Sequence, residues 1–240
     1  MARSRLTSNP VYTRLTQASR GPSLRVTIWL ALAWSLFVLA ATILVGRWLY
    51  ARGGYDPVMA WGRQIFWPAM AAHGVLLLIL PVAAISLTVR DTVGEEFVML
   101  RLTTQPGWKV AFGYLGAALF RLRILLALLT ALIPLAVMGN VYENFGEPLQ
   151  DLLASAAIWG MTVLGGAVGV WMGLVWRRLL LAILSTAVIM ALVILPYTRA
   201  FYVVGIPLPT IRLAVALIVW ALTPVVLWLA GLAYERIPLR

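Results

Sequence analysis

LLASAAIWGMTVLGGAVGVWMGLVW, Leu152–Trp176, is followed by Arg177-Arg178 and then by LLLAILSTAVIMALVILPYT, Leu179–Thr198. Neither run contains a charged residue. A bilayer's hydrocarbon core takes about 20 apolar helical residues to cross, and both runs meet that length. Within lipid, a single segment satisfies its own backbone N–H and C=O groups only as a helix. With two residues between them, the helices must turn back on each other as a tight antiparallel hairpin. The first also carries Gly165, Gly169 and Gly173 at intervals of four, with Gly160 and Gly166 nearby. Small residues on one face let helix backbones approach closely in lipid, so this face reads as an intramolecular packing seam rather than a dimer seam.

Four further runs, Val26–Gly46, Gln64–Val89, Ile124–Tyr142 and Leu213–Tyr234, are likewise free of charge. The expected fold is therefore all-α: an integral membrane protein of six transmembrane helices in a single domain, 1–240. The spans use more than half of a chain that is 62% hydrophobic and leave no room for a separate soluble domain. The first run is too long for a signal-peptide core and reads as a retained helix. There is no cysteine, which removes disulfide frameworks and thiolate metal sites. In a soluble protein the net charge of +11 would suggest nucleic acid. Here the basic residues flank apolar runs, so topology and anionic headgroups account for them and no nucleic-acid partner is expected.

The basic residues also orient the chain. Fourteen of the 19 fall in alternate segments: Arg3, Arg5, Arg14, Arg20 and Arg25; Arg90, Arg101, Lys109, Arg121 and Arg123; Arg177 and Arg178; Arg236 and Arg240. Arg47, Arg52, Arg63, Arg199 and Arg212 lie on the other side, where Asn140–Asp151 carries Glu143, Glu147 and Asp151 with no basic residue. The excess places both termini in the cytoplasm of a multi-pass cell (plasma) membrane protein.

Two cytoplasmic segments have structure of their own. In the N-terminal segment 1–25, Ser8 or Asn9 can cap a short helix with Pro10 in its first turn. Val11, Leu15 and Ala18 fall on one face of it, and Arg14 and Gln17 on another. Such a helix would lie along the membrane surface. The competing reading is a disordered basic tail. The segment 90–123 mixes charged and apolar residues. Thr92-Val93-Gly94-Glu95 has capping-box spacing, and Val93, Phe97 and Leu100 follow on one face. Pro106-Gly107 breaks that helix, and a second begins near Trp108 with Phe112, Leu115 and Leu119 along one side. Two short helices joined at a Pro-Gly break make an elbow, suited either to receive force from a cytoplasmic partner or to re-enter the interface without one. On the outer side, Arg199–Arg212 is apolar but interrupted by Gly205, Pro207 and Pro209, and reads as irregular or re-entrant.

Candidate chemistry within the membrane is sparse. His73, the sole histidine, lies in the second run between Pro68 and Pro81. An ionisable residue at membrane depth is a candidate for a substrate or proton pathway. It has neither an acid in its own span nor a second histidine, so no metal site is expected, and a neutral histidine bonded to a neighbouring helix is the alternative. Glu143, Glu147 and Asp151 read as a solvated outer loop. No G-x-x-x-x-G-K-S/T phosphate loop, H-E-x-x-H or G-x-S-x-G occurs, so the chain is not expected to hydrolyse ATP or act as an enzyme of those kinds.

Three stretches carry a family resemblance. Asn9-Pro10-Val11 with the basic amphipathic stretch after it, Glu95-Glu96-Phe97-Val98-Met99-Leu100-Arg101-Leu102-Thr103-Thr104-Gln105-Pro106, and Gly113-Tyr114-Leu115-Gly116 through Arg121-Leu122-Arg123 are similar to segments of the membrane permeases of ABC-2-type exporters. In that family a surface helix precedes the first span, and a coupling helix lies between spans two and three. The family's usual lysine after the first glycine of the third stretch is Tyr114 here. The resemblance implies a permease that pairs with a second one, identical or different, above cytoplasmic ABC ATPase subunits. ATP would be bound on the partner, and this chain would need no cofactor of its own. It further implies that Glu96, Phe97, Leu100 and Arg101 are the coupling contacts. A non-transporting scaffold or regulatory subunit of a larger membrane complex is the alternative with the same fold. The cargo is not legible in apolar span residues.

Overall fold

A computed structural model describes residues 9–17, 22–53, 57–93, 97, 105–130, 148–200 and 208–237. Among these the chain is helical, without strands: α1 (Pro10–Gln17), α2 (Leu24–Gly53), α3 (Pro57–Val93), α4 (Gly107–Arg121), α5 (Arg123–Thr130), α6 (Pro148–Trp176), α7 (Leu179–Ala200) and α8 (Leu208–Glu235). Four stretches are long and apolar enough to cross a membrane: Gly74–Val93, Ala156–Trp176, Leu179–Pro196 and Thr210–Glu235. The pair α4–α5, bent by 64°, makes a fifth if taken together. The first charge-free run lies wholly within α2.

Proline placement sets several helix starts. Pro10, Pro148 and Pro209 all sit in first turns, where a missing N–H breaks no intrahelical bond. This corrects the outer segments. Asp151 belongs to the first turn of α6 rather than to a loop, whereas Glu143 and Glu147 lie outside the described residues. Arg199 and Ala200 continue α7, and Leu208–Arg212 already belong to α8, so the irregular stretch expected over 199–212 narrows to 201–207, outside the described residues.

The hairpin occurs as expected. Trp176 ends α6, Arg177 takes a left-handed conformation (φ 49°), and α7 starts two residues later. That conformation cannot continue a right-handed helix, so it terminates α6 without a glycine. Helix α6 is central, with 72% of its membrane-length stretch buried, against 17% for α7.

The glycines of α6 explain its position. A Cβ on Gly169 would lie 2.8 Å from the Pro81 carbonyl oxygen, one on Gly165 3.0 Å from the Pro81 ring, and one on Gly173 3.0 Å from Thr88. The seam is thus intramolecular and faces α3. On another side, Gly160 meets Trp220 of α8, whose Nε1 donates to the Ala156 carbonyl at 3.1 Å. Polar side chains in these helices satisfy themselves locally: Thr88, Thr162 and Thr223 hydroxyls donate to Ala84, Ile158 and Val219 carbonyls at 2.7, 2.9 and 3.0 Å.

Helix α4 departs most from expectation. Its buried face is Val110, Ala111, Tyr114, Leu115, Ala117 and Ala118, whereas Phe112 is exposed. Small residues decide this face because the α8 backbone and the Asn9 and Val11 side chains press on it. A Cβ on Gly113 would lie 2.6 Å from Asn9 Oδ1, and one on Gly107 would overlap the Gly231 carbonyl of α8. Thr92 also differs: its hydroxyl donates to the Val89 carbonyl at 3.0 Å within the last turn of α3, so it ends a helix and does not open one. Glu95 lies outside the described residues.

Gly231→Leu is expected to cost about 3 kcal/mol, because its side chain can be placed only by separating α8 from α4. Gly74→Ala, with nothing within 4 Å of the new Cβ, is expected to stabilise by about 0.5 kcal/mol. Thermal unfolding in detergent followed by tryptophan fluorescence distinguishes the two.

Candidate functional site

The polar groups of the molecule converge at the end of the bundle where α3, α6 and α8 finish and α4 begins. Asp91, in the last turn of α3, is buried, with its side chain 6% exposed. The Arg14 guanidinium of α1 donates from Nη2 to both carboxylate oxygens, and the Tyr114 hydroxyl of α4 donates to Oδ2. One carboxylate therefore fastens three helices. Charge-assisted bonds of this kind are about twice as strong as neutral ones, and a low local dielectric strengthens them further.

A second set of contacts seats α1. Asn9 Oδ1 accepts from the backbone N–H groups of Val11 and Tyr12 at 3.0 and 3.3 Å, which is N-capping geometry. Its Nδ2 donates to the Lys109 carbonyl of α4 at 2.5 Å. Val11 is fully buried, and Tyr12 meets Phe120 edge-on with ring centroids 6.0 Å apart. The amphipathic helix expected on the membrane surface is therefore docked on α4, and Arg14, placed on its polar face by the sequence pattern, turns to Asp91.

The start of α4 is held by α8. Pro106 precedes it in extended conformation, and the free Gly107 N–H donates to Glu235 Oε1 at 3.0 Å. A carboxylate at a helix N-terminus both accepts an orphan donor and meets the positive end of the helix dipole. Beside it, Phe97 packs edge-to-face on Tyr234, centroids 5.4 Å apart. At the far end of α4, Arg123 is buried at the bend. Its Nε donates to the Pro22 carbonyl at 3.0 Å and Nη1 to the Phe120 carbonyl at 2.6 Å, with the guanidinium 3.8 Å from the Phe120 ring. The bend is thereby tied to the chain just ahead of α2.

Of the expected coupling residues, only Phe97 is described, and it is 4% exposed. Its side chain faces α8, so it anchors the segment rather than presenting itself outward. Glu96, Leu100 and Arg101 lie outside the described residues. His73 falls within α3, with its side chain outside the described residues. Asp91 and Tyr114 were not singled out as site residues. The signal for Asp91 was present: Leu80, Ala84, Leu87 and Asp91 recur at helical spacing and form one buried face, which runs past the exposed Arg90. Treating the first charge after the apolar run as the end of the helix concealed it.

No family model, curated protein or solved structure matches the chain.

The arrangement works mechanically as a clamp. Displacing α1 or α4 relative to α3 strips the Asp91 carboxylate of a partner, and a buried carboxylate left short of donors is costly. Asp91→Ala is expected to destabilise by about 2 kcal/mol and to release α1. Limited proteolysis should then cut within the first 20 residues many times faster, while Arg90→Ala, at an exposed neighbour, leaves the rate unchanged.

Proposed function

We propose that this chain is the membrane permease subunit of an ATP-driven exporter of the ABC-2 type. In this reading the chain crosses the cell membrane six times with both termini in the cytoplasm, as its basic residues favour, and the segment 90–123 couples it to a separate ABC ATPase. The observation that carries this reading is the way the segment is attached. Its beginning is fastened by Asp91, its middle by Phe97 on Tyr234, the start of α4 by Glu235, and its end by Arg123. A cytoplasmic elbow fixed at four points to α1, α3, α8 and the start of α2 moves as one piece with the membrane helices. A loop that merely joined two spans would need none of these bonds.

In this mechanism ATP binding closes the partner ATPases, and the closure presses on the elbow. The inward- and outward-open arrangements then exchange populations according to how differently the ATPase holds them. The chain itself carries no phosphate loop, so hydrolysis belongs to the partner. Glu96, Leu100 and Arg101 are the coupling contacts of this reading, Phe97 holds the segment to α8, and His73 is its candidate pathway residue, with a second copy or a different permease as the partner. The resemblance in the segments around Asn9, Glu96 and Gly113 supports the same assignment.

Gentle solubilisation followed by mass spectrometry of what copurifies tests the reading directly. A Walker-type ATPase is expected; a redox or photosynthetic assembly in its place would make the chain a scaffold. Because the chain has no cysteine, a single cysteine at Gln105 reports sidedness cleanly and should be labelled from the cytoplasm only. Alanine at Glu96, Leu100 or Arg101 is expected to abolish ATP-dependent transport with the fold intact, whereas Phe97→Ala loses about 3 kcal/mol of stability.

A further inference from the structure

On the flank of the same end of the bundle, α6 and α8 border an open cavity of about 480 Å3 that the exporter reading does not use. Trp171, Val175, Leu229 and Leu232 supply apolar walls, and among the described residues Arg177 and Arg236 supply the charged side chains lining it. Among the described residues no carboxylate lines it and neither arginine takes part in an ion pair. Two guanidiniums over an apolar floor attract an anion that carries an apolar part. The carbonyl ends of α6 and α8 oppose an anion, but their dipoles contribute roughly half a charge each, against two full positive charges.

The surface beyond the cavity supplies the apolar part. Ile218, Leu222, Val225, Leu229, Leu232 and Arg236 follow one another at steps of four and three along a single face of α8. Ile218, Leu222 and Val225 are 57%, 39% and 49% exposed, so the stripe is open along its length. One leaflet is about 15 Å deep, or about ten helical residues, which is the span from Leu222 to Leu232. Arg236, one turn further on, then lies at headgroup depth.

We propose that this cavity binds an anionic phospholipid. Arg177 and Arg236 grip the headgroup phosphate through planar forks suited to paired oxygens, and an acyl chain lies along Val225, Leu229 and Leu232. The site occupies the leaflet facing the basic segments, where anionic lipid attracts juxtamembrane arginines. It does not rest on the exporter reading.

Spin-labelled phosphatidylglycerol and phosphatidylcholine, compared on the full chain in bilayers, test this through the motionally restricted fraction of each lipid. The wild-type chain is expected to favour phosphatidylglycerol several-fold. Arg177→Gln combined with Arg236→Gln should remove that preference, while Arg178→Gln, at an exposed residue outside the cavity, retains it. Equal association of the two lipids with the wild-type chain overturns the proposal, as does a preference that survives the double substitution. Inorganic phosphate, titrated against chloride at equal ionic strength, distinguishes the source of the anion. Unchanged lipid preference supports the lipid site, and its loss at millimolar phosphate assigns the cavity to a soluble anion and overturns it. The wild-type comparison and the phosphate titration decide the matter even if the double variant fails to fold.

Discussion

The closeness of α6 to α3 is the constraint on which the rest of the molecule depends. Lipid tails are as apolar as leucine, so helices in a bilayer gain little by hiding leucine from them. They associate through dense backbone packing instead. Gly165, Gly169 and Gly173 provide it on α6, with the Pro81 carbonyl and Thr88 on the facing surface. Pro81 carries no N–H, and its ring and carbonyl fill the space the missing side chains leave. The same device recurs where Gly107 of α4 crosses Gly231 of α8. With α3 and α8 set on either side of α6, the end of α3 and the end of α8 come level with each other, and the polar side chains there can meet.

What they make is expensive in isolation. A carboxylate at a bundle end, buried as Asp91 is, loses most of its hydration, and only a full complement of donors makes its burial tolerable. Arg14 and Tyr114 supply them from two different helices. The gain over an apolar contact is specificity more than stability: a methyl group would accept many arrangements of α1 and α4, and this carboxylate accepts one. The same holds for Glu235, which accepts the Gly107 N–H and fixes where α4 starts. An elbow located by directional bonds transmits displacement; one located by apolar packing would slide.

The surfaces divide accordingly. Helix α7 exposes Leu180, Leu184, Val188 and Leu192 along one face, and α8 exposes the stripe that leads to Arg236. The first starts directly after Arg177-Arg178 and carries Arg199 in its last turn, and lipid tails suit the apolar residues between. The second ends in a guanidinium beside a cavity, which gives it a preference among lipids.

Charge-free length was enough to establish an all-helical chain with helices capable of crossing a membrane, because helix formation in lipid is dictated by backbone hydrogen bonding and needs no knowledge of neighbours. The same local logic located the hairpin at Arg177-Arg178 and the glycine face of α6, and narrowed the cap to Ser8 or Asn9, of which Asn9 makes the bonds. It failed where a residue's environment is made by a distant segment. Phe112 shares a side with Leu115 and Leu119 by spacing, yet it is exposed, because α4 turns its small residues inward to admit the α8 backbone and the Asn9 and Val11 side chains. Phe97, a coupling contact by resemblance, packs on Tyr234, 137 positions away in the chain. Asp91 fell into the charged connection that begins at Arg90, yet Arg14, 77 positions away in the chain, lies against it. Periodicity reports which side of a helix differs from the other; only the packed structure decides what that side meets, since burial and pairing are properties of contacts between segments that sequence spacing does not encode.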